Sequence, residues 1–292
     1  MATVSVAGFS IVRNATLLDF PLEASVGSVL PVVDEFILAV GRSDDDTLAR
    51  ARAIGDPKVR IIETAWDAAR GIAVLADETS RALQECRAPW AIYIQADEVF
   101  ADGGADRMRA AIERADPDSR IEGITVDYRH FYGGFDTLAA NRKWYRREIR
   151  AVRTGREYGI RSYGDAQGFR AGDASRRVRC IASDAVMHHY GWARPVQAIA
   201  AKRAEDTAID PIARRRDVER PLLPWIPGLR PFAGEHPAII RPWIASRTEQ
   251  RVTIAPRRLE PHHLRLAASG WIERLTGWRP FEYRNYTLIT PD

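Results

Sequence analysis

Trp90-Ala-Ile-Tyr-Ile-Gln-Ala-Asp97-Glu98 is an apolar run that stops at two adjacent carboxylates. A buried strand of this kind delivers its acids to an exposed sheet edge, where water, a cation or a basic partner must receive them. The competing explanation is a solvated strand-to-helix turn, because acids also cap the element that follows. The flanking sequence favours the first. Thr3 to Val12 reads as a strand ending at the polar pair Arg13-Asn14, followed by helical spacing over Leu17 to Leu30, closed by Pro31. Glu35 to Gly41 is a second buried strand, Thr47 opens a helix through Arg52, Val59 to Thr64 is a third strand, and Ile72 to Cys86 a long helix. Strand and helix alternate up to Trp90, which predicts a parallel sheet with helices on both faces and ligands at the carboxyl ends of the strands. Those ends are Arg13-Asn14, Gly41 to Asp46, and Gln95 to Glu98.

Beyond Asp116-Pro117 the rhythm changes. Gly123 to Gly134 and Trp144 to Arg153 alternate and are rich in aromatic and β-branched residues, as antiparallel strands added to a parallel core would be. Tyr163 to Arg170 reads as a turn-rich loop, Ala185 to Trp192 as an apolar strand ending in polar groups, and Pro195 to about Asp206 as a helix. From Pro221 onward proline and tryptophan punctuate an irregular segment that wraps the body, with a last helix near His262 to Leu275. The stretch Leu264 to Trp278 sets apolar residues at helical spacing beside arginines. That pattern suits core packing first, then a homodimer contact or peripheral membrane docking.

Composition narrows the function classes. The 292 residues are 46% hydrophobic and 28% charged, enough for one large α/β domain with an appendage or for two modest domains. The net charge of +4 is carried by arginine, with lysine only at Lys58, Lys143 and Lys202. No lysine-rich tail, Cys/His finger or aromatic RNA-binding motif accompanies it, so no nucleic-acid partner is expected. Cys86 and Cys180 suit a reducing compartment and no zinc site. No segment has the charge and apolar pattern of a secretion signal, and none approaches the ~20 apolar residues of a membrane span, so the expected location is cytoplasmic, with peripheral contact at the inner membrane face as an extension of it. There is no G-x-G-x-x-G after the first strand and no G-x-x-x-x-G-K-[ST], so neither a dinucleotide dehydrogenase nor a P-loop enzyme is supported.

Four motifs in order carry a resemblance over about residues 3 to 200: Val12-Arg13-Asn14, Ser28-Val-Leu-Pro31-x-x-Asp34-Glu35, Gly41-Arg-Ser43-x-Asp45-x-Thr47, and Gln95-Ala-Asp97-Glu98. Together they resemble the family 2 glycosyltransferases of the GT-A fold. The resemblance implies an α/β chain with a mixed, mainly parallel sheet flanked by helices over residues 1–204, and a helical or irregular C-terminal extension over 205–292. It implies a nucleotide-sugar donor, a glycan or lipid-linked acceptor, a role in surface polysaccharide synthesis, and a divalent cation, Mn²⁺ or Mg²⁺. The reaction would be a single inverting displacement, with the cation neutralising the departing diphosphate and a base taking the acceptor proton. Carried onto this chain, Arg13, Asn14, Gly41, Asp45, Gln95 and Asp97 line the donor site, Asp97 and His189 bind the metal, and Asp165 is the base, with Asp127 and His130 as alternatives. Glu98 stands behind the metal or on the acceptor side.

Two positions depart from the family pattern. Gln95 replaces the first acid of the D-x-D motif, so one carboxylate is lost and a neutral carbonyl stands in its place. Gly41 stands where the second strand normally ends in the aspartate that reads the donor base, leaving Asp44, Asp45 or Asp46 to reach in. Simpler roles compete at each position. His188 and His189 could be a core histidine and an exposed neighbour, and Asp165 could merely shape a turn. Tyr128, Phe131, Tyr132, Trp144 and Tyr145 could be core rather than sugar platforms, and Arg146 and Arg147 a solvated face rather than phosphate ligands. A non-catalytic glycan- or nucleotide-binding relative and a nucleotidyltransferase are the rival functions.

Overall fold

The computed structural model describes residues 4–173, 175–209, 223–247 and 253–291. The chain runs β1 (Val6–Val12), α1 (Leu22–Gly27), β2 (Glu35–Gly41), α2 (Thr47–Ala53), β3 (Val59–Thr64), α3 (Ala73–Gln84), β4 (Trp90–Tyr93), β5 (Glu98–Phe100) and α4 (Gly104–Ala115). It continues through β6 (Gly123–Tyr132), β7 (Thr137–Ala139), β8 (Arg147–Arg153), β9 (Arg161–Tyr163), β10 (Gly168–Ala171) and β11 (Arg176–Trp192). The last elements are α5 (Val196–Ile209), β12 (Leu229–Pro231), α6 (Arg241–Ala245), α7 (Pro261–Thr276) and β13 (Tyr286–Leu288).

The main sheet has the order β3-β2-β1-β4-β8-β6-β11-β10-β9. β3, β2, β1 and β4 are parallel neighbours, β8 runs against both β4 and β6, and β11 is parallel to β6. This is the mixed, mainly parallel sheet flanked by helices expected of a GT-A chain. The pleat of β4 divides the core. Trp90 and Ile92 pack with Leu22 and Val26 of α1 and Met108 and Ile112 of α4, while Ala91 and Tyr93 pack with Phe9, Phe169, and Ala82 and Leu83 of α3. With β4 buried on both faces, its continuous apolar run is accounted for.

Several elements differ from the sequence reading. The helix expected over Leu17 to Leu30 is reduced to α1, because Asn14 and Asp19 take left-handed φ of 52° and 49° in a turn, and Pro21 can start a helix but not sit inside one. α4 was not anticipated, although Met108, Ala111, Ile112 and Ala115 lie buried on one face of it. The turn-rich loop is the hairpin β9–β10, with Gly164 at φ +64° in its turn. The apolar strand from Ala185 is the end of β11, whose register slips between Ala182 and Val186 and again between His189 and Trp192.

The C-terminal part is joined to the sheet, with β12 on β7 and β13 on β11. α5 runs across residue 204. Thr3 and the opening of the Pro221 segment lie outside the described residues. Among the described residues no helix is long and apolar enough to cross a membrane.

Candidate functional site

β5 runs antiparallel to β11 with Glu98 opposite His189, and the Tyr190 N–H donates to the Asp97 carbonyl at 2.8 Å. This ladder turns the two expected metal ligands toward each other. Asp97 Oδ2 lies 3.7 Å from His189 Nε2, and both side chains are buried. Gly191 makes the room, since a Cβ there would stand 2.6 Å from His189 Nε2 and 2.8 Å from Asp97 Oδ2. From α5, Lys202 brings Nζ to 3.8 Å from the same carboxylate oxygen. Arg194, also buried, donates to the Gly191 carbonyl at 3.0 Å and to the Leu18 carbonyl, tying the turn after β1 to the glycine. Burial alone would raise the pKa of Asp97. His189, Lys202 and Arg194 outweigh that and hold it well below the usual carboxylate range, so the group is ionised.

Two atoms bound to one ion cannot be further apart than about twice a ligand distance of ~2.1 Å, and 3.7 Å lies inside that span. One carboxylate and one imidazole therefore fit a Mn²⁺ or Mg²⁺ ion. Among the described residues no group of three His, Cys, Asp or Glu side chains converges, so waters and ligand oxygens would complete the shell.

His189 is oriented by a second histidine. His130 Nε2 lies 2.8 Å from the Tyr145 carbonyl, an acceptor only, so Nε2 carries the proton. Burial pushes the His130 pKa well below the ordinary value, which keeps the ring neutral and leaves its Nδ1 as an acceptor. His189 Nδ1–H donates to it at 3.0 Å. In the neutral His189 ring the lone pair is therefore on Nε2, the nitrogen facing Asp97, as a metal ligand requires. His130→Leu should release this restraint and move His189 toward the Nε2–H tautomer, whereas His130→Gln, whose amide both donates and accepts, should preserve it. Nitrogen-15 NMR of the His189 ring distinguishes the two; an unchanged tautomer in His130→Leu would rule out the relay.

The other expected residues divide. Gln95 donates from its side chain to the Ala166 carbonyl at 3.3 Å, so its amide ties the acidic strand end to the β9–β10 turn. Asp165 is exposed in that turn and accepts the Gln167 N–H at 3.3 Å, as a turn-shaping aspartate does. Among the described residues it has no hydrogen bond or ion pair with Asp97 or His189. Glu98 is fully buried, gripped by Arg150 at 2.7 and 3.0 Å and by the Tyr128 hydroxyl at 2.7 Å. Enclosed in this way, the carboxylate presents no face to an acceptor. Asp127 pairs with Arg147 at 2.7 Å, and Arg146 with Glu282 at 2.8 Å, so neither arginine matches the phosphate ligand considered from sequence.

At the ends of β1 and β2, Arg13 donates to the Arg42 carbonyl at 3.0 Å, and Asn14 Oδ1 accepts the Asp44 N–H at 2.8 Å. Asp45 accepts the N–H groups of Leu17, Thr16 and Thr47 at 2.8, 2.9 and 3.0 Å, as well as the Thr47 hydroxyl. Through these bonds the Asp45 carboxylate clamps the turn after β1. Gly41 has its own reason: a Cβ there would lie 2.5 Å from Trp66 Nε1, so the indole occupies the space an aspartate would need. Trp66 Nε1 is buried without a hydrogen-bond partner among the described residues, and the Arg13 guanidinium lies 5.9 Å from the ring.

Of the two adjacent histidines, His188 is the core one. It packs on Phe131, and burial lowers its pKa to about 3. Phe131 and Tyr132 are also core, whereas half-buried Trp144 lies 5.2 Å from the His130 ring and Trp192 5.7 Å from Lys202 Nζ. Lys202, Arg194, Trp66 and Arg150 were missed from sequence. Only Lys202 carried a signal, as a rare lysine in an arginine-rich chain.

No family model and no curated protein matches the chain. Among solved structures it is similar to glucosyl-3-phosphoglycerate synthase from Mycobacterium tuberculosis, crystallised with Mn²⁺, UDP and phosphoglyceric acid, at 16% identity over 44% of this chain and 43% of that one, with a TM-score of 0.32. It is also similar to S. aureus TarS, at 9% identity over 70% of this chain and 40% of that one, with a TM-score of 0.42. In both cases the aligned region spans less than half of the other chain.

Proposed function

We propose that the chain is a nucleotide-sugar-dependent, inverting glycosyltransferase, with residues 1–204 binding the donor and residues 205–292 as an extension laid upon them. The observation that carries this reading is the approach of Asp97 Oδ2 to His189 Nε2, 3.7 Å apart across Gly191 at the carboxyl end of a parallel sheet. Asp97 and His189 would hold a divalent cation there, and the cation supplies charge neutralisation to a departing diphosphate. Lys202 adds a positive charge beside the same oxygen, where a phosphate could share it. Trp144 and Trp192, half-buried beside His130 and Lys202, offer apolar faces for a sugar ring. The base is Asp165, exposed and joined through Ala166 and Gln95 to the acidic strand end.

The Lys202–Asp97 pair supports a second reading, in which the ammonium takes the cation's place and the chain handles its ligand without metal. One experiment separates the two. The purified chain is incubated with a panel of nucleotide-diphosphate sugars, with Mn²⁺, with Mg²⁺ or with a chelator, and nucleoside diphosphate release and donor binding are measured. Release that needs the metal is expected for at least one donor. Binding or release insensitive to chelation favours the second reading, and neither binding nor turnover with any donor overturns both.

A further inference from the structure

The C-terminal helix α7 is buried on one side and carries large apolar residues on the opposite, exposed side. Its inner side, with His263, Leu266 and Ser269 buried, packs on the body. Its outer side carries Leu264, Trp271 and Leu275, successive members of one stripe at spacings of seven and four residues, together with exposed Ala268. Trp271 is 63% exposed and Leu275 80%. Beyond the left-handed Gly277 that ends the helix, Trp278 and Phe281, the latter 87% exposed, continue the apolar surface. Single exposed apolar residues are ordinary on a soluble protein. A stripe of large ones with two tryptophans is not.

The charge around the stripe has one sign. Arg257, Arg258, Arg265 and Arg274 are exposed, and among the described residues none of them has a carboxylate partner. The acids of the same stretch are engaged: Glu260 in the capping box that opens α7, Glu273 with Arg279 at 2.8 Å, and Glu282 with Arg146 at 2.8 Å. Arg274 holds its guanidinium 5.9 Å from the Trp271 ring, so charge and aromatic sit together. Tryptophan and leucine on a helix face flanked by unpaired arginines match the interface of an anionic bilayer, where the rings enter the headgroup region and the guanidinium groups meet phosphate. A second copy of the chain fits less well, because pairing the stripe with itself would face these arginines with one another.

We infer that the outer face of α7, continued by Trp278 and Phe281, is a docking surface for anionic phospholipid. The helix is anchored for the task. Arg279 donates to the carbonyls of Trp144 at 2.8 Å and Ala140 at 3.1 Å, and the Trp144 ring packs against His130. Arg279 also pairs with Glu273 of α7 at 2.8 Å, so the helix is joined through it to a segment that flanks the candidate site.

The test is flotation of the full chain with vesicles of phosphatidylcholine alone and of phosphatidylcholine mixed with phosphatidylglycerol. The chain should float with the mixed vesicles, and partition at least about tenfold less onto the neutral ones. Trp271→Glu/Leu275→Glu should abolish flotation, and Arg265→Glu/Arg274→Glu should weaken it most at low salt. All four positions are exposed, so circular dichroism and thermal midpoints should not change. Failure of the wild-type chain to float with anionic vesicles overturns the inference. So does equal flotation of the Trp271→Glu/Leu275→Glu variant, or a concentration-dependent dimer that this variant abolishes.

Discussion

Asp97→Asn is expected to abolish the metal dependence of donor binding and to lower nucleoside diphosphate release by at least ~10²–10³-fold, the scale on which a single preorganised charge in a buried site acts. Asparagine keeps the shape and one carbonyl oxygen but removes the negative charge that His189, Lys202 and Arg194 surround. In the variant those neighbours face a neutral amide, a poor ligand for a hard dication. Because the Asp97 pKa lies below the usual range, its charge is constant through neutral pH, so the wild-type chain should not lose metal affinity through this carboxylate between about pH 5 and 9. Asp165→Asn is the contrasting variant. If Asp165 is the base, metal-dependent donor binding survives while turnover falls; if it only shapes the turn through the Gln167 N–H, turnover with acceptor is unchanged, because asparagine retains that acceptor. Isothermal titration with Mn²⁺ and a nucleoside diphosphate, beside turnover assays, reads both outcomes. An Asp97→Asn variant that binds donor with undiminished metal dependence would remove Asp97 from the site.

What could be read from sequence followed the range of the interactions concerned. A strand buried on both faces, such as β2, announces itself by composition, and both it and the half-buried edge strand β3 have the expected limits. From the alternation of strands and helices came the polar strand ends at one edge, and with them the neighbourhood of Asp97. α4 was legible too, from the spacing of Met108, Ala111, Ile112 and Ala115, but it lay in the shadow of the acidic motif before it. The partners of the acids were not legible. Glu98 finds Arg150 across 52 positions, and Lys202 reaches Asp97 from α5, so no local pattern reports either. Gly41 shows the same limit from the other side: its absent side chain is explained by Trp66, which belongs to the loop after β3. A family pattern identifies the backbone position; only packing tells what now fills it.

Arg150→Met should destabilise the fold by ~3–5 kcal/mol, since it leaves the Glu98 carboxylate buried without its counter-charge. The pair is fully enclosed, with Arg150 Nη2 2.7 Å from Glu98 Oε1 and Nε 3.0 Å from Oε2. Arg150 further donates to the carbonyls of Ile149 and Gln167, each at 2.8 Å, and lies 5.2 Å from the rings of Tyr93 and Tyr128. The Gln167 bond fastens the β9–β10 turn to β8, and the ion pair joins β8 to the acidic strand end that carries Asp97. Burying two charges is itself unfavourable, so removing both should be milder than removing one. Glu98→Gln/Arg150→Met is therefore expected to recover much of the stability lost in Arg150→Met, a coupling that urea denaturation of the single and double variants measures directly. Recovered stability need not bring recovered activity. The double variant still lacks the Arg150–Gln167 bond, so a stable chain with weakened turnover would assign the arginine to holding the turn against the acidic strand end. Additive losses in the double variant would mean that Glu98 and Arg150 act on the fold separately, and that the ion pair is not the fastening.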